Sequence, residues 1–396
     1  MTAQVDLGLY GELQKFGAAN VTACFSCGTC TASCPLVTGD ATFPRRMIRY
    51  AQVGLRDRLL SSKELWTCYA CGECSDTCPT QAEPSEFMAA ARRYAIGSYD
   101  RTGLARTMYT RPVLGTAIAV FLAAFFAIFM AAGQGVQATG SLELFRFVPE
   151  DLIHTTGIIV MVIVALAGLA GMVTMTRQVG RAEGVGWRTV AGSRTAVGRS
   201  VRALWDAIGV ESLGQRRYRA DCDADKAVVP LYRRRWLLHA ATMWGFLGLL
   251  GATILDYGLA LAGIKATGTP VPIWYPVRLL GTIAGLMLVY GTSLLILDRF
   301  RSANRSVAHS TPADWTLLAL LWVTGITGFA LEIALYLPGA PAWGYWVFLF
   351  HVAVAMELVL LAPFMKLAHV LYRPVALFFY ALARTPEHPD RQGGTR

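Results

Sequence analysis

Eight of the nine cysteines stand in two blocks of one pattern, Cys24-x-x-Cys27-x-x-Cys30-x-x-x-Cys34-Pro35 and Cys68-x-x-Cys71-x-x-Cys74-x-x-x-Cys78-Pro79. Thiolates are soft ligands that suit iron–sulfur, and the tight spacing lets one loop wrap a cube corner by corner. Zinc sites prefer two separated cysteine pairs, and disulfides do not call for a four-cysteine run closed by proline. The run is that of chains holding two cubane clusters, in which each block gives three thiolates to one [4Fe–4S] cluster and its fourth to the other. The expected sets are Cys24, Cys27, Cys30 and Cys78 for one cluster, and Cys68, Cys71, Cys74 and Cys34 for the second. The ninth cysteine, Cys222, has no nearby ligands and reads as a free thiol.

Histidine is the other candidate ligand type. Of six histidines, His309 and His388 lie in polar stretches and receive no role, whereas His154, His239, His351 and His369 lie in or beside long apolar runs. A lone membrane histidine is often only a hydrogen-bonding group between helices, so the four must be weighed together. His351 and His369 are 18 residues apart. On one continuous helix that is about five turns, placing both on one face about 27 Å apart, near the thickness of a hydrocarbon core. Two levels of ligands follow, His239 with His369 and His154 with His351. Each pair suits a bis-histidine b-type haem. Lys265 and Glu332, near the opposite end of the apolar runs, are candidates for a quinone site; an ion pair or a snorkelling anchor is the plainer alternative.

The elements that must position these residues are helical. Val5 to Phe16 reads as a short helix. Met47, Ile48, Ala51 and Leu55 follow helical spacing, and Glu83 to Gly97 reads as a helix opened by Pro84 and stopped by Gly97. From residue 112 the composition changes, and six runs near 113–133, 152–175, 237–258, 277–297, 315–336 and 345–368 are long and apolar enough to cross a bilayer. The expected fold is all-α: a helical ferredoxin domain over 1–110, then a six-helix transmembrane bundle over 111–396 of cytochrome b type. The chain is 54% hydrophobic with mean hydropathy +0.43, beyond the range of an ordinary soluble domain.

Charge sets the orientation. The stretch 177–235 holds thirteen Arg or Lys, and loop 298–314 holds Arg299, Arg301 and Arg305, while the alternate loops hold only Arg146 and Lys265. Basic loops stay on the cytoplasmic side. That places both termini and the cysteine blocks in the cytoplasm, a reducing compartment that keeps thiols available. The first thirty residues contain no apolar run of signal-peptide length. The net charge of +10 is accounted for by topology and anionic lipid, not by nucleic acid. Within the basic stretch Val201, Leu204, Trp205 and Ile208 mark an amphipathic helix suited to the membrane surface or to a partner.

The cysteine region, with Phe43-Pro-Arg-Arg-Met-Ile-Arg-Tyr, Cys71-Gly-Glu-Cys-Ser and Glu83-Pro-Ser-Glu-Phe-Met, resembles the C subunit of heterodisulfide reductase. The membrane part, through Val277-Arg-Leu-Leu-Gly, Asp314-Trp and Pro363-Phe-Met-Lys-Leu-Ala-His369, resembles the cytochrome b of heterodisulfide reductase and the gamma subunit of nitrate reductase. The fusion in this order is similar to the C subunits of quinone-interacting membrane-bound oxidoreductase (Qmo) complexes. One departure stands out: the nitrate reductase subunit takes two haem ligands ten residues apart on one helix, but Leu249 stands ten residues after His239. The resemblance implies an electron wire between a quinone pool, menaquinone by analogy, and flavin or iron–sulfur partners resembling the A and B subunits of the Qmo complex. It further implies a link to adenylylsulfate reductase. Two other readings stay open, a subunit serving a disulfide reductase and a redox-regulated ion translocator.

Overall fold

The computed structural model describes residues 4–18, 20–37, 43–221, 229–265, 271–301 and 310–383. Cys222, Arg305, His309 and His388 lie outside them. Every regular element among the described residues is helical. The cysteine-bearing region is built around the helix Pro84–Tyr99, whose Phe87, Met88, Ala91, Tyr94 and Tyr99 are buried. Helix Leu9–Lys15 brings Leu9 and Leu13 to the same core, and Arg45–Gln52 brings Met47, Ile48 and Ala51, the stripe its spacing predicts. Gly97 does not stop its helix. It lies inside it because a Cβ there would stand 3.3 Å from the Phe16 ring, so the glycine admits that ring.

Six helices are long and apolar enough to span a membrane among the described residues. The first five are Pro112–Ala132, Glu150–Glu183, Arg235–Leu261, Pro276–Phe300 and Pro312–Tyr336, and the sixth begins at Ala342. The sixth is the most enclosed and packs against the first, second and fifth. The third and fourth form the closest pair. At Gly245 a Cβ would come within 2.5 Å of the Leu288 nitrogen, so the small residue lets two backbones meet. The second span runs well past the expected end at 175. Its Met175 and Val179 join the core of the cysteine domain, and Glu183 pairs with Lys63.

The expected single helix over 345–368 is broken. It ends at Leu361, two 3-10 turns follow over Ala362–Phe364 and Lys366–Ala368, and a new helix runs from His369 to Ala383. Pro363 supplies no N–H and crowds the preceding turn, and Met365 is extended with φ −120° and ψ −167°. His351 and His369 therefore do not share one helix face, and the five-turn alignment fails. Buried Tyr372 of the terminal helix lies against Trp66 and Tyr99, with ring centres 5.3 and 5.1 Å apart, so this helix docks the membrane part onto the cysteine domain.

The Gly245 contact gives a direct expectation. Gly245→Val should destabilise the bundle by about 1–3 kcal/mol through overpacking, read as a lower unfolding temperature in detergent; an unchanged transition would mean the third and fourth spans are not this close.

Candidate functional site

The two cysteine blocks fold alike, offset by 44 residues. Each has a positive φ two residues after its first cysteine, at Ser26 (63°) and Ala70 (55°), and again at Gly28 (91°) and Gly72 (99°). Gly28 and Gly72 open the one-turn helices Thr29–Ala32 and Glu73–Asp76. Left-handed residues turn successive N–H groups inward, as anion-binding nests do. The Ala70 N–H donates to Cys68 Sγ at 3.3 Å, and Ala82 N–H to Cys78 Sγ at 3.4 Å. The equivalent hydroxyls of Ser33 and Thr77 bond each other at 3.0 Å, so the blocks face one another across a local two-fold relation.

That relation produces the crosswise grouping. Burial, and then the charges of Cys24, Cys27 and Cys78, push the Cys30 thiol up. Burial pushes Cys34 up to about 11, with Cys68 and Cys71 adding to it. Cys74 is pushed up by burial and then by Cys68, Cys71, Cys34 and Cys30. Cys34 lines one small cavity with Cys68, Cys71 and Cys74, and Cys78 is among the thiols that act on Cys30. Thiols that resist ionisation because they are buried among thiolates are relieved when metal cations replace the protons. Among the described residues no group of three or more Cys, His, Asp or Glu converges as for a single ion. Sulfurs spread around a volume are what a multi-iron cube requires. The sets fit two cubane clusters.

The two loops differ in access. Cys27 is exposed, Phe25 is 65% exposed, and a cleft of about 560 Å³ lined by Cys24, Ser26, Arg45, Arg49 and Tyr50 opens beside them. Cys68 and Cys71 are half-buried, and Tyr69 between them stacks on Tyr218 with centres 5.0 Å apart; Cys30 and Cys74 are buried alike, so the contrast lies at Cys27. Arg92 Nη2 donates to the Cys68 carbonyl at 2.6 Å, and Arg373 Nη1 donates to it at 3.2 Å. Arg235 donates to the Cys71 and Ala70 carbonyls at 3.0 and 3.2 Å. Sequence reasoning misses all three arginines as part of the site. Their bonds go to backbone oxygens remote in sequence, which leave no motif.

His239 and His369 come together, with ring centres 6.1 Å apart. A metal–imidazole bond of about 2 Å, plus about 1 Å from nitrogen to ring centre, puts trans-ligating imidazoles about 6 Å apart. His369 Nδ1 donates to the Lys366 carbonyl at 2.6 Å, which leaves Nε2 as the unprotonated ligand nitrogen. His239 Nδ1 is buried with no hydrogen-bond partner. These side chains fit one bis-histidine haem.

The other pair is arranged differently. The Thr327 hydroxyl donates to the Val323 carbonyl at 2.7 Å and accepts from His351 Nδ1 at 2.8 Å, freeing Nε2. His154 packs against Tyr257 with ring centres 4.6 Å apart, and its Nδ1 lies 3.5 Å from Glu150. The second and sixth spans meet, Gly157 against Met356, but each of these two histidines engages its own neighbour. Lys265 pairs with Asp256, while Glu332 accepts from Thr282 at 3.0 Å and lies 3.5 Å from Arg278. The two quinone candidates belong to separate networks.

The family described as "Citrate utilization protein B" matches residues 105–390, and the "4Fe-4S dicluster domain" matches residues 20–82. A relative from Escherichia coli, "Citrate utilization protein B", is 30% identical over 201 residues, 50% of each chain. A protein of Archaeoglobus profundus, named as like the C subunit of heterodisulfide reductase, is 38% identical over 103 residues, 24% of this chain and 54% of its own. The C subunit of the "H(2):CoB-CoM heterodisulfide,ferredoxin reductase" of Methanothermobacter marburgensis is 37% identical over 62 residues, 16% of this chain and 34% of its own. The chain spans about half the length of the first two. No solved structure matches at a significant level. The N-terminal part is thus an iron–sulfur region related to the C subunits of heterodisulfide reductases.

Two outcomes follow from the pairing. His369→Ala or His239→Ala should each remove one b-type haem per chain from the reduced-minus-oxidised spectrum; full haem content in both would exclude the pair as ligands. Cys74→Ser should abolish one cluster signal in spin resonance and spare the other; loss of neither would break the grouping.

Proposed function

We propose that this chain, which belongs to the citrate utilization protein B family, is a membrane electron-transfer subunit linking a cytoplasmic redox partner to the quinone pool. The observation that carries the reading is the adjacency of the Cys68–Cys71 loop to the helices bearing His239 and His369, through Arg235 and Arg373. Two [4Fe–4S] clusters and a b-type haem, when bound, supply one-electron carriers on the cytoplasmic side of the bundle. The chain's own part is to hold them in order. Cys24, Cys27, Cys30 and Cys78 take the exposed position, and Cys68, Cys71, Cys74 and Cys34 take the covered one. His239 and His369 hold the inner haem. A second haem on His154 and His351 belongs to the same reading, and it needs His154 to turn from Tyr257. The cytoplasmic placement of both termini rests on the asymmetry of basic loops.

A partner meets the chain at the exposed loop, where Arg45 and Arg49 line the open cleft and favour an acidic surface. Flavin or iron–sulfur proteins are the class that exchanges electrons with such a loop. The resemblance to Qmo suggests adenylylsulfate reductase behind that partner. The matched relatives are named for citrate utilisation and heterodisulfide reduction, which favours a partner acting on a carboxylic acid or a disulfide. Quinone is placed at the far end of the bundle, where Glu332, Thr282 and Arg278 form a polar network inside apolar helices. An intramembrane carboxylate of this kind is a candidate for handling a proton.

Glu332→Gln should slow haem reduction by a quinol about a hundredfold, the low end of a general acid–base contribution, while dithionite reduces the same haem fully. Equal quinol rates would remove Glu332 from the site. Lys265→Ala tests the alternative position in the same assay.

A further inference from the structure

Three arginines donate to the Cys68–Cys71 loop, and they are not equivalent. Arg235 stands four residues before His239 on the third span, and Arg373 stands four residues after His369 on the terminal helix. Four residues is about one turn, so each arginine shares a face with its histidine. Arg92 belongs to the helix Pro84–Tyr99, which carries no ligand histidine, and its Nε and Nη2 go to the Leu65 and Cys68 carbonyls.

Arg373 has a second feature. One nitrogen bonds the Cys68 carbonyl and the guanidinium lies 3.9 Å over the Tyr69 ring, yet Nη2 is buried with no hydrogen-bond partner. Stacking on Tyr69 satisfies the guanidinium face but gives Nη2 no oxygen acceptor, so a carboxylate beside it would be favourable. The haem that His239 and His369 fit carries carboxylate side groups of that chemistry.

We propose that Arg235 and Arg373 clamp the Cys68–Cys71 cluster loop to the His239–His369 haem site, with Arg373 Nη2 binding a haem propionate, so that the two centres are electrostatically linked. They are positioning residues, since they act through the loop and the haem's carboxylate. Adding an electron to either centre adds negative charge, and a fixed guanidinium between them stabilises both reduced forms in a poorly screened interior. The inference rests on the proposal that His239 and His369 hold a haem.

The test is a redox titration of the purified full chain, following the haem band optically and the clusters by spin resonance. Arg373→Gln should lower the reduced-to-oxidised ratio of both the haem and the covered cluster about tenfold at fixed potential, about 59 mV for a one-electron couple. Arg92→Gln should move the cluster alone. Arg373→Lys keeps the charge but not the fork, and should restore most of the haem shift. If Arg373→Gln binds no haem, Arg235→Gln carries the same expectation and decides. A wild-type chain without a b-type band overturns the haem reading itself. Wild-type centres that are both present, with a haem potential unmoved in the Arg373 or Arg235 variant, overturn the clamp alone.

Discussion

The junction between the two halves of this chain is built around one buried carboxylate, set among apolar contacts. Asp314 opens the fifth span, where its own side chain accepts from the Thr311 N–H and hydroxyl at 3.0 and 2.9 Å in a capping box. It also lies 3.5 Å from Arg93 of the cysteine domain and 3.4 Å from Lys366, in the break after the sixth span. Arg93 in turn donates to the Phe16 carbonyl at 2.8 Å. One side chain therefore ties the start of a membrane helix, the turn that positions His369 and the core helix of the iron–sulfur region. A buried charge is tolerable only when paired and hydrogen-bonded in this way. Loss of the carboxylate would leave two cations facing each other at the junction.

Around that junction the same economy recurs. The cysteine domain lacks a separate closed core: Trp66 and Tyr99 pack on Tyr372, and Met175 and Val179 of the second span enter the same cluster. Gly171 leaves room for Tyr372, since a Cβ there would collide with the phenol hydroxyl. The docking is therefore apolar packing plus a few arginines that bond backbone oxygens. It fixes the covered cluster loop over the inner histidine pair and leaves the other loop facing outward with its basic cleft.

Much of this was legible in the sequence. The iron–sulfur character of the cysteine blocks is legible in the repeated spacing because ligand spacing is local chemistry. The six spans were legible because hydrophobic length is a composition property. His239 and His369 do come together, though not by the helix alignment that the spacing suggests. The expected helix through both His351 and His369 ignored Pro363, and the chain instead turns so that His369 starts a new helix. The second span is longer than its apolar run because Arg177, Arg181 and Glu183, charged as loop residues are, continue a helix that packs on the cysteine domain. Arg235 and Arg373 were invisible as site residues. Basic residues near a membrane signal topology, and a partner that is a backbone carbonyl some 165 or 305 positions away has no sequence mark. Val201, Leu204, Trp205 and Ile208 are all exposed, but the α-helix ends at Trp205 and Ile208 lies in the π-helical turn that follows.

The most direct measurement is a combined count of metal centres in the purified, intact chain by iron and sulfide analysis, haem extraction and spin resonance. The expected result is two four-iron clusters and at least one low-spin b-type haem per chain, with the haem and one cluster close enough to interact magnetically. A chain that carries zinc at its cysteines, or clusters with no haem, would contradict it.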